Sequence, residues 1–144
     1  MNIFLQILFS YLATIGFGII VNIPRKALNA CGIIGVLGWL TYLGINNGLQ
    51  SSIMANLIAA FVIGGLSIIC ARYKKMPTIL FNIPSLVPLV PGGQAYRAAR
   101  YFVFGNVELG INYAVQAALI AGSIAMGFFL AELVGQVYFK ITSV

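Results

Sequence analysis

Residues 78–104 read TILFNIPSLVPLVPGGQAYRAARYFVF, an apolar segment with three prolines and two adjacent glycines. Proline lacks the N–H that a regular helix needs, and glycine adopts backbone angles that other residues avoid. As a helix, residues 78–90 would rise only about 20 Å, less than the ~30 Å hydrocarbon core of a bilayer. The whole segment would rise about 40 Å, enough for one broken span. We therefore predict a membrane helix that is broken at Pro91-Gly92-Gly93 and that either crosses the bilayer or re-enters and returns.

Long apolar runs surround this segment, at residues 3–21, 27–45, 51–71 and 109–139. The first three have about the 20 residues that a membrane helix requires, and the last, with 31 residues, is longer. The chain of 144 residues is 61% hydrophobic and only 7% charged, whereas a soluble domain has roughly 25% charged residues. These features predict an all-α integral membrane protein with one transmembrane domain over residues 1–144 and four to five transmembrane helices, one of them broken.

The residue inventory argues against most catalytic chemistry. The chain has no histidine, and its two acidic residues, Glu108 and Glu132, are far apart in sequence. An imidazole base, a serine–histidine–aspartate triad and a pair of catalytic carboxylates are therefore not expected. Cys31 and Cys70 stand in apolar runs without a zinc-binding pattern, and no nucleotide-binding glycine motif occurs. We expect no enzyme, no metal site and no cofactor.

The basic residues lie between the apolar runs, so the net charge of +6 indicates membrane topology rather than binding to nucleic acid. The loops at 22–26 and 72–77 are basic, and the loop after the second run has no charge. The positive-inside rule places both basic loops in the cytoplasm and the N-terminus outside the cell's inner (plasma) membrane, as in a multi-pass protein. Lys140 would then be inside if the broken segment spans and outside if it re-enters.

Polar and small residues mark the faces of the helices. Small residues recur at 114, 118 and 122 and again at 117, 121 and 125, a pattern typical of helices that pack closely on each other or on a partner. An acid at the centre of a membrane helix costs roughly 2.5–3.5 kcal/mol, and less near the interface. Glu132 in the last run is therefore either an interfacial acid in water or a proton- or ion-coupling carboxylate.

The hinge after Pro91 carries the candidate site for substrate. A helix that begins there would present free N–H groups with partial positive charge, which suit a carboxylate. Two arginines follow on the same helix, and arginine binds carboxylates through two parallel hydrogen bonds. Alternatively, the arginines extend to lipid headgroups from an interfacial helix. The candidate substrate-binding residues are Pro91, Gly92, Gly93, Gln94, Tyr96, Arg97 and Arg100, and the expected ligand is a small carboxylate-bearing solute.

Two motifs resemble a known family. Residues 21–28, VNIPRKAL, precede Cys31-Gly32, and residues 88–96, PLVPGGQAY, follow Ile83-Pro84. They resemble the YjjB-like small subunit of the ThrE-type threonine/serine exporters. Pro91, Gly92 and Tyr96 match motif positions of that family, whereas Arg97 and Arg100 are not part of its pattern.

The resemblance implies export of small amino acids, or of C4-dicarboxylates in some branches. It also implies a larger YjjP-like membrane subunit, which supplies the other membrane half and a soluble hydrolase-like region. In that family the broken element counts as one span, which favours five spans. We therefore expect an oligomeric secondary exporter, and the alternative is a non-transporting scaffold that stabilises a partner.

Overall fold

The computed structural model describes residues 2–142, so residues 1, 143 and 144 of the predicted domain lie outside the described part. The described chain is helical throughout and contains no strand, which confirms the all-α membrane class. The helices are α1 (Ile3–Ile20), α2 (Arg25–Leu49), α3 (Ser52–Lys74), α4 (Ile79–Ser85), α5 (Gly92–Val103) and α6 (Val107–Thr142), with a 3-10 turn at Val87–Leu89 between α4 and α5. Of these, α1, α2, α3 and α6 are long and apolar enough to cross a membrane.

Helices α1 and α2 pack in antiparallel fashion through small residues. Gly35 lies directly against the side chain of Thr14, and Gly18 lies against Leu28. Thr14 is fully buried, and its hydroxyl donates a hydrogen bond to the Ser10 carbonyl at 2.8 Å. The Thr14 hydroxyl therefore bonds within α1, and its side chain lies in the contact between α1 and α2. Small residues form such close contacts between helices in membrane bundles.

Helix α6 runs parallel to α3 over the length of α3. Gly127 lies against Ala60, and Gly135 lies against Ile68. The two contacts are eight residues apart in each helix, so the helices run in the same direction. At this spacing the start of α3 is level with Leu119, and the first part of α6 extends about 18 Å beyond the start of α3 at 1.5 Å per residue.

Helix α5 packs chiefly along this extension of α6. The ring of Tyr101 stacks on Tyr113 with centroids 5.5 Å apart, and Phe102 covers Gly110. The Asn106 side chain accepts a hydrogen bond from the Leu109 N–H at 3.3 Å, which caps the start of α6. Helices α5 and α6 thus form a hairpin at one end of the bundle.

The broken segment crosses the bundle in one direction. Helix α4 packs among α1, α2 and α3, where the Cys31 thiol donates to the Leu80 carbonyl at 3.4 Å. The 3-10 turn follows at the level of Trp39, which lines a cavity with Pro88. The segment therefore advances along α2 from its basic start, which is the direction that the crossing alternative requires.

Both basic loops and the end of α6 lie at one end of the bundle. The ammonium group of Lys74 donates a hydrogen bond to the Lys26 carbonyl at 2.6 Å. Arg72 and Tyr138 line the same cavity, so the last turns of α3 and α6 are neighbours. Lys140 therefore lies at the basic end, as the crossing alternative requires.

The break begins earlier than the sequence predicts. The regular helix ends at Ser85, and the irregular part extends to Pro91, which has φ −75° and ψ 48°. The N–H of Gly92 donates to the Val90 carbonyl at 2.8 Å, so Pro91 forms a tight turn. Gly92 and Gly93 already belong to α5 and have no positive φ, so prolines and not glycines interrupt the helix.

Candidate functional site

A cavity of about 180 Å³ lies beside the break and is called here the hinge cavity. It combines residues of α2, α3 and α6 with the 3-10 turn and the first turn of α5. Its lining consists of Trp39, Tyr42, Asn56, Pro88, Leu89, Val90, Pro91, Gln94 and Ile120. An interrupted membrane helix next to a cavity is the arrangement in which secondary transporters commonly bind their solutes.

Two stacked aromatic rings form one wall of the hinge cavity. The rings of Trp39 and Tyr42 have centroids 5.2 Å apart and an angle of 27° between their planes. The indole N–H of Trp39 donates to the Gln6 side-chain oxygen at 3.2 Å, which links α2 to α1. The indole is therefore held in place, and the wall is rigid on the side of α1.

Two amides contribute the polar groups of the cavity wall. Asn56 is only 4% exposed, and its amide nitrogen donates to the Ser52 carbonyl at 2.7 Å. That bond orients the amide group within the apolar interior. Gln94 enters from the first turn of α5, where the N–H groups have no carbonyl four residues earlier in the helix. The wall thus offers donors and acceptors without a charged side chain.

The structure brings together only part of the predicted site. Pro91 and Gln94 line the hinge cavity, whereas Gly92 and Gly93 are exposed beside it. The Gly92 N–H is already bonded to the Val90 carbonyl, so it is not one of the free donors that the sequence suggests.

The other predicted residues lie on the exposed side of α5. Tyr96 is 69% exposed. The guanidinium carbon of Arg97 stands 5.6 Å from the centre of the Tyr113 ring, and that of Arg100 stands 5.7 Å from the Phe104 ring. Neither arginine lines the hinge cavity, so the described structure does not assemble the arginines with the hinge into one anion site.

Sequence reasoning missed the aromatic wall and the role of Asn56 in the cavity. The available signal was weak, because an isolated amide in an apolar run more often bonds within the bundle. Trp39 and Tyr42 are three residues apart, which places them on one helix face, but that spacing does not indicate a cavity.

Two of the larger cavities are mainly apolar, whereas one of about 490 Å³ at the basic end is lined by Asn22 and Arg25. One of about 360 Å³ lies in the groove between α1 and α2, with Phe4 and Tyr11 in its lining. Another of about 460 Å³ lies between α3 and α6 near Arg72. Their linings lack the pair of amides that the hinge cavity presents, and apolar grooves of this kind suit lipid chains.

Glu132 lies apart from the hinge cavity. It is exposed on α6, next to Ala131, which packs on Gly64. Gly64 is at the middle of α3, so the carboxylate lies level with the middle of that helix and not with its end. The coupling role that the sequence suggests for Glu132 stays a prediction.

Comparisons with known proteins agree with this architecture. The family model for the threonine/serine exporter ThrE matches residues 6–134. A protein of Haemophilus influenzae that is named only as an uncharacterized protein is 29% identical over 137 residues. That alignment covers 89% of this chain and 46% of the relative, so the chain spans about half the length of the curated relative. No solved structure matches the chain. The match over most of its length shows that this chain belongs to the ThrE family of threonine/serine exporters.

Proposed function

We propose that this chain is a membrane subunit of a secondary exporter of threonine or serine, and that the solute binds in the hinge cavity. The family supports amino-acid export. The observation that carries the proposed binding site is the hinge cavity itself, which is polar and lies where a membrane-crossing segment is interrupted. Irregular backbone at membrane depth is tolerated where it lines a cavity, because its polar groups need partners there.

The lining of the hinge cavity favours a small neutral amino acid. Its volume of about 180 Å³ suits a solute of a few heavy atoms. Asn56 and Gln94 can bond a hydroxyl and an ammonium group, and the backbone N–H of Gln94 in the first turn of α5 can receive a carboxylate. A zwitterion brings both charges with it, so it needs no compensating charged side chain.

A C4-dicarboxylate is the second candidate. Arg97 and Arg100 are exposed on α5 three residues apart, within reach of solvent at the end of the bundle opposite the basic loops. They could attract a dianion to the α5–α6 hairpin through their charge. Two carboxylates inside the hinge cavity would have no cation beside them, which makes the dicarboxylate the weaker candidate.

We further propose that the exporter requires a larger YjjP-like membrane subunit and works as an oligomer. The chain spans about half the length of its curated relative, which supports a second half. We place the assembly in the inner (plasma) membrane with the N-terminus outside and the loops at 22–26 and 72–77 in the cytoplasm. The contact of Lys74 with the Lys26 carbonyl supports this topology, because both basic loops lie at one end.

The proposal is tested by solute efflux from reconstituted vesicles. Vesicles containing this chain, with and without the larger subunit, are loaded with radiolabelled threonine, serine or succinate. We expect efflux of threonine and serine from vesicles with both subunits, with competition between the two amino acids. Efflux of succinate alone would favour the dicarboxylate candidate.

A scaffold without a transport role is the remaining alternative. Gln94→Leu removes one of the two cavity amides without touching the α3–α6 interface. We expect normal assembly with the larger subunit and reduced efflux. Normal efflux for this variant would favour the scaffold over a solute-binding subunit.

A further inference from the structure

Helix α6 has an outer seam that faces away from α3. The seam consists of Ala118, Gly122, Ala125, Phe129, Glu132 and Gln136, which alternate at spacings of four and three residues. All six are exposed, and a methyl group added at Gly122 would meet nothing within 4 Å. Spacings of four and three place residues on one stripe of a helix that packs against another helix. Small residues in such a stripe allow a partner helix to approach closely.

The carboxylate of Glu132 is placed where lipid cannot accommodate it. It lies level with Gly65, in the middle of the apolar helix α3. No ion pair joins it to a basic side chain within residues 2–142. A carboxylate at this depth requires protein, water or a cation beside it.

A second copy of this chain cannot supply that cation. All eight basic residues lie in loops, at helix ends or on α5, and none is in the central turns of a spanning helix. A symmetric contact through the outer seam would also bring two Glu132 carboxylates together, which is unfavourable. A different polypeptide, which can carry a cation at that depth, is therefore the occupant that the charges favour.

We infer that the outer seam of α6 docks a transmembrane helix of a second polypeptide, and that this helix carries a lysine or arginine at mid-span opposite Glu132. The inference rests on the proposed partner subunit and adds the surface and the chemistry of the contact. Glu132 then acts as a positioning residue for the complex, while Ala118, Gly122 and Ala125 let the two backbones approach.

The test uses photo-cross-linking in membranes of the organism that encodes the chain. The full chain carries p-benzoylphenylalanine at Phe129 on the seam, or at Leu12 on the exposed face of α1 as a matched control. We expect the Phe129 probe to form an adduct with a different polypeptide. Mass spectrometry of the cross-linked peptide should show an apolar span with a central lysine or arginine. Adducts only with lipid, with a second copy, or with a span that lacks a basic residue would overturn the inference.

A charge variant makes the test independent of folding. Glu132→Gln should lower the adduct yield at least about tenfold, because the partner's buried cation loses its counter-ion. The variant inserts at least as easily as the native chain, since an amide costs less in the membrane than a carboxylate. Glu108→Gln at the start of α6 is the control and should leave the yield unchanged.

Charge exchange provides the confirming measurement. Glu132→Lys should abolish the adduct, and the reciprocal change of the identified basic residue to glutamate should restore it. An undiminished yield in Glu132→Gln, or no recovery on exchange, would refute the ion pair. Adduct yield is measured without solute, so a failure of the proposed export activity would leave this result intact.

Discussion

Replacing Asn56 by leucine removes one amide from the hinge cavity. Asn56 is 4% exposed, and its amide nitrogen is bonded to the Ser52 carbonyl at 2.7 Å. Leucine has the same branching and the same number of side-chain heavy atoms, but it is bulkier and has no polar atom. Its greater hydrophobicity favours insertion of α3, so a loss of export could not be ascribed to a failure to enter the membrane.

The expected magnitude follows from the burial of the site. A solute group that bonds to the Asn56 amide would be left without a partner in the hinge cavity, which costs about 1–3 kcal/mol. That free energy corresponds to a rise of roughly 5- to 150-fold in the half-saturating solute concentration. The lower value applies if water enters the cavity and replaces the lost hydrogen bond.

Threonine efflux from vesicles measures this change as a function of internal threonine concentration. Asn112→Leu is the matched control, because the same substitution is made on an exposed part of α6 outside the cavity. We expect the control to keep the native half-saturating concentration. If Asn56→Leu also kept it, with both subunits assembled, the hinge cavity would not be the binding site.

Three further predictions concern packing and topology. Gly127→Ala should destabilise the protein by about 1–3 kcal/mol, because the added methyl meets the backbone of α3. Gly122→Ala on the open seam should leave the stability unchanged. Equal midpoints of thermal unfolding for the two variants in detergent would contradict this prediction. Gly92→Ala should have the native midpoint of thermal unfolding, since Gly92 is helical and its surroundings are open. A clearly lower midpoint would contradict this and show that the fold needs a glycine at this position. In a cysteine-free background, an impermeant thiol reagent should label Ala99→Cys in intact cells and Lys140→Cys only after permeabilisation; labelling of Lys140→Cys from outside would refute the proposed topology.

The sequence was sufficient for the membrane class, because an apolar run of about 20 residues has few other stable outcomes. It also located the break, since Pro84, Pro88 and Pro91 cannot all be accommodated in one regular helix. The sequence did not predict how far the break extends along the chain. Leu80 and Ser85 are hydrogen-bonded to Cys31 of α2 along α4, and no local sequence pattern encodes these tertiary contacts.

The candidate site was predicted only in part, because a cavity is a property of several helices. Pro91 and Gln94 were identified from the hinge, but Trp39, Tyr42 and Asn56 come from α2 and α3. The arginines were grouped with the hinge because they are close in sequence. In the structure the turn of α5 directs Arg97 towards Tyr113, so proximity in sequence did not become proximity to the cavity.

In the proposed exporter, the two sides of α6 would serve different roles, one in solute binding and the other in assembly. Ile120 on the inner side lines the hinge cavity, and Ala131 on the same side packs on Gly64. Glu132 stands on the next face, about 100° around the helix at 3.6 residues per turn. A partner helix on the outer seam would therefore hold α6 without filling the cavity. Because α6 also carries α5 on its extension, a shift of the partner along the seam would move the first turn of α5, and with it Gln94, relative to Asn56. In the proposed complex, the second subunit would thereby act on the solute site without contacting the solute itself.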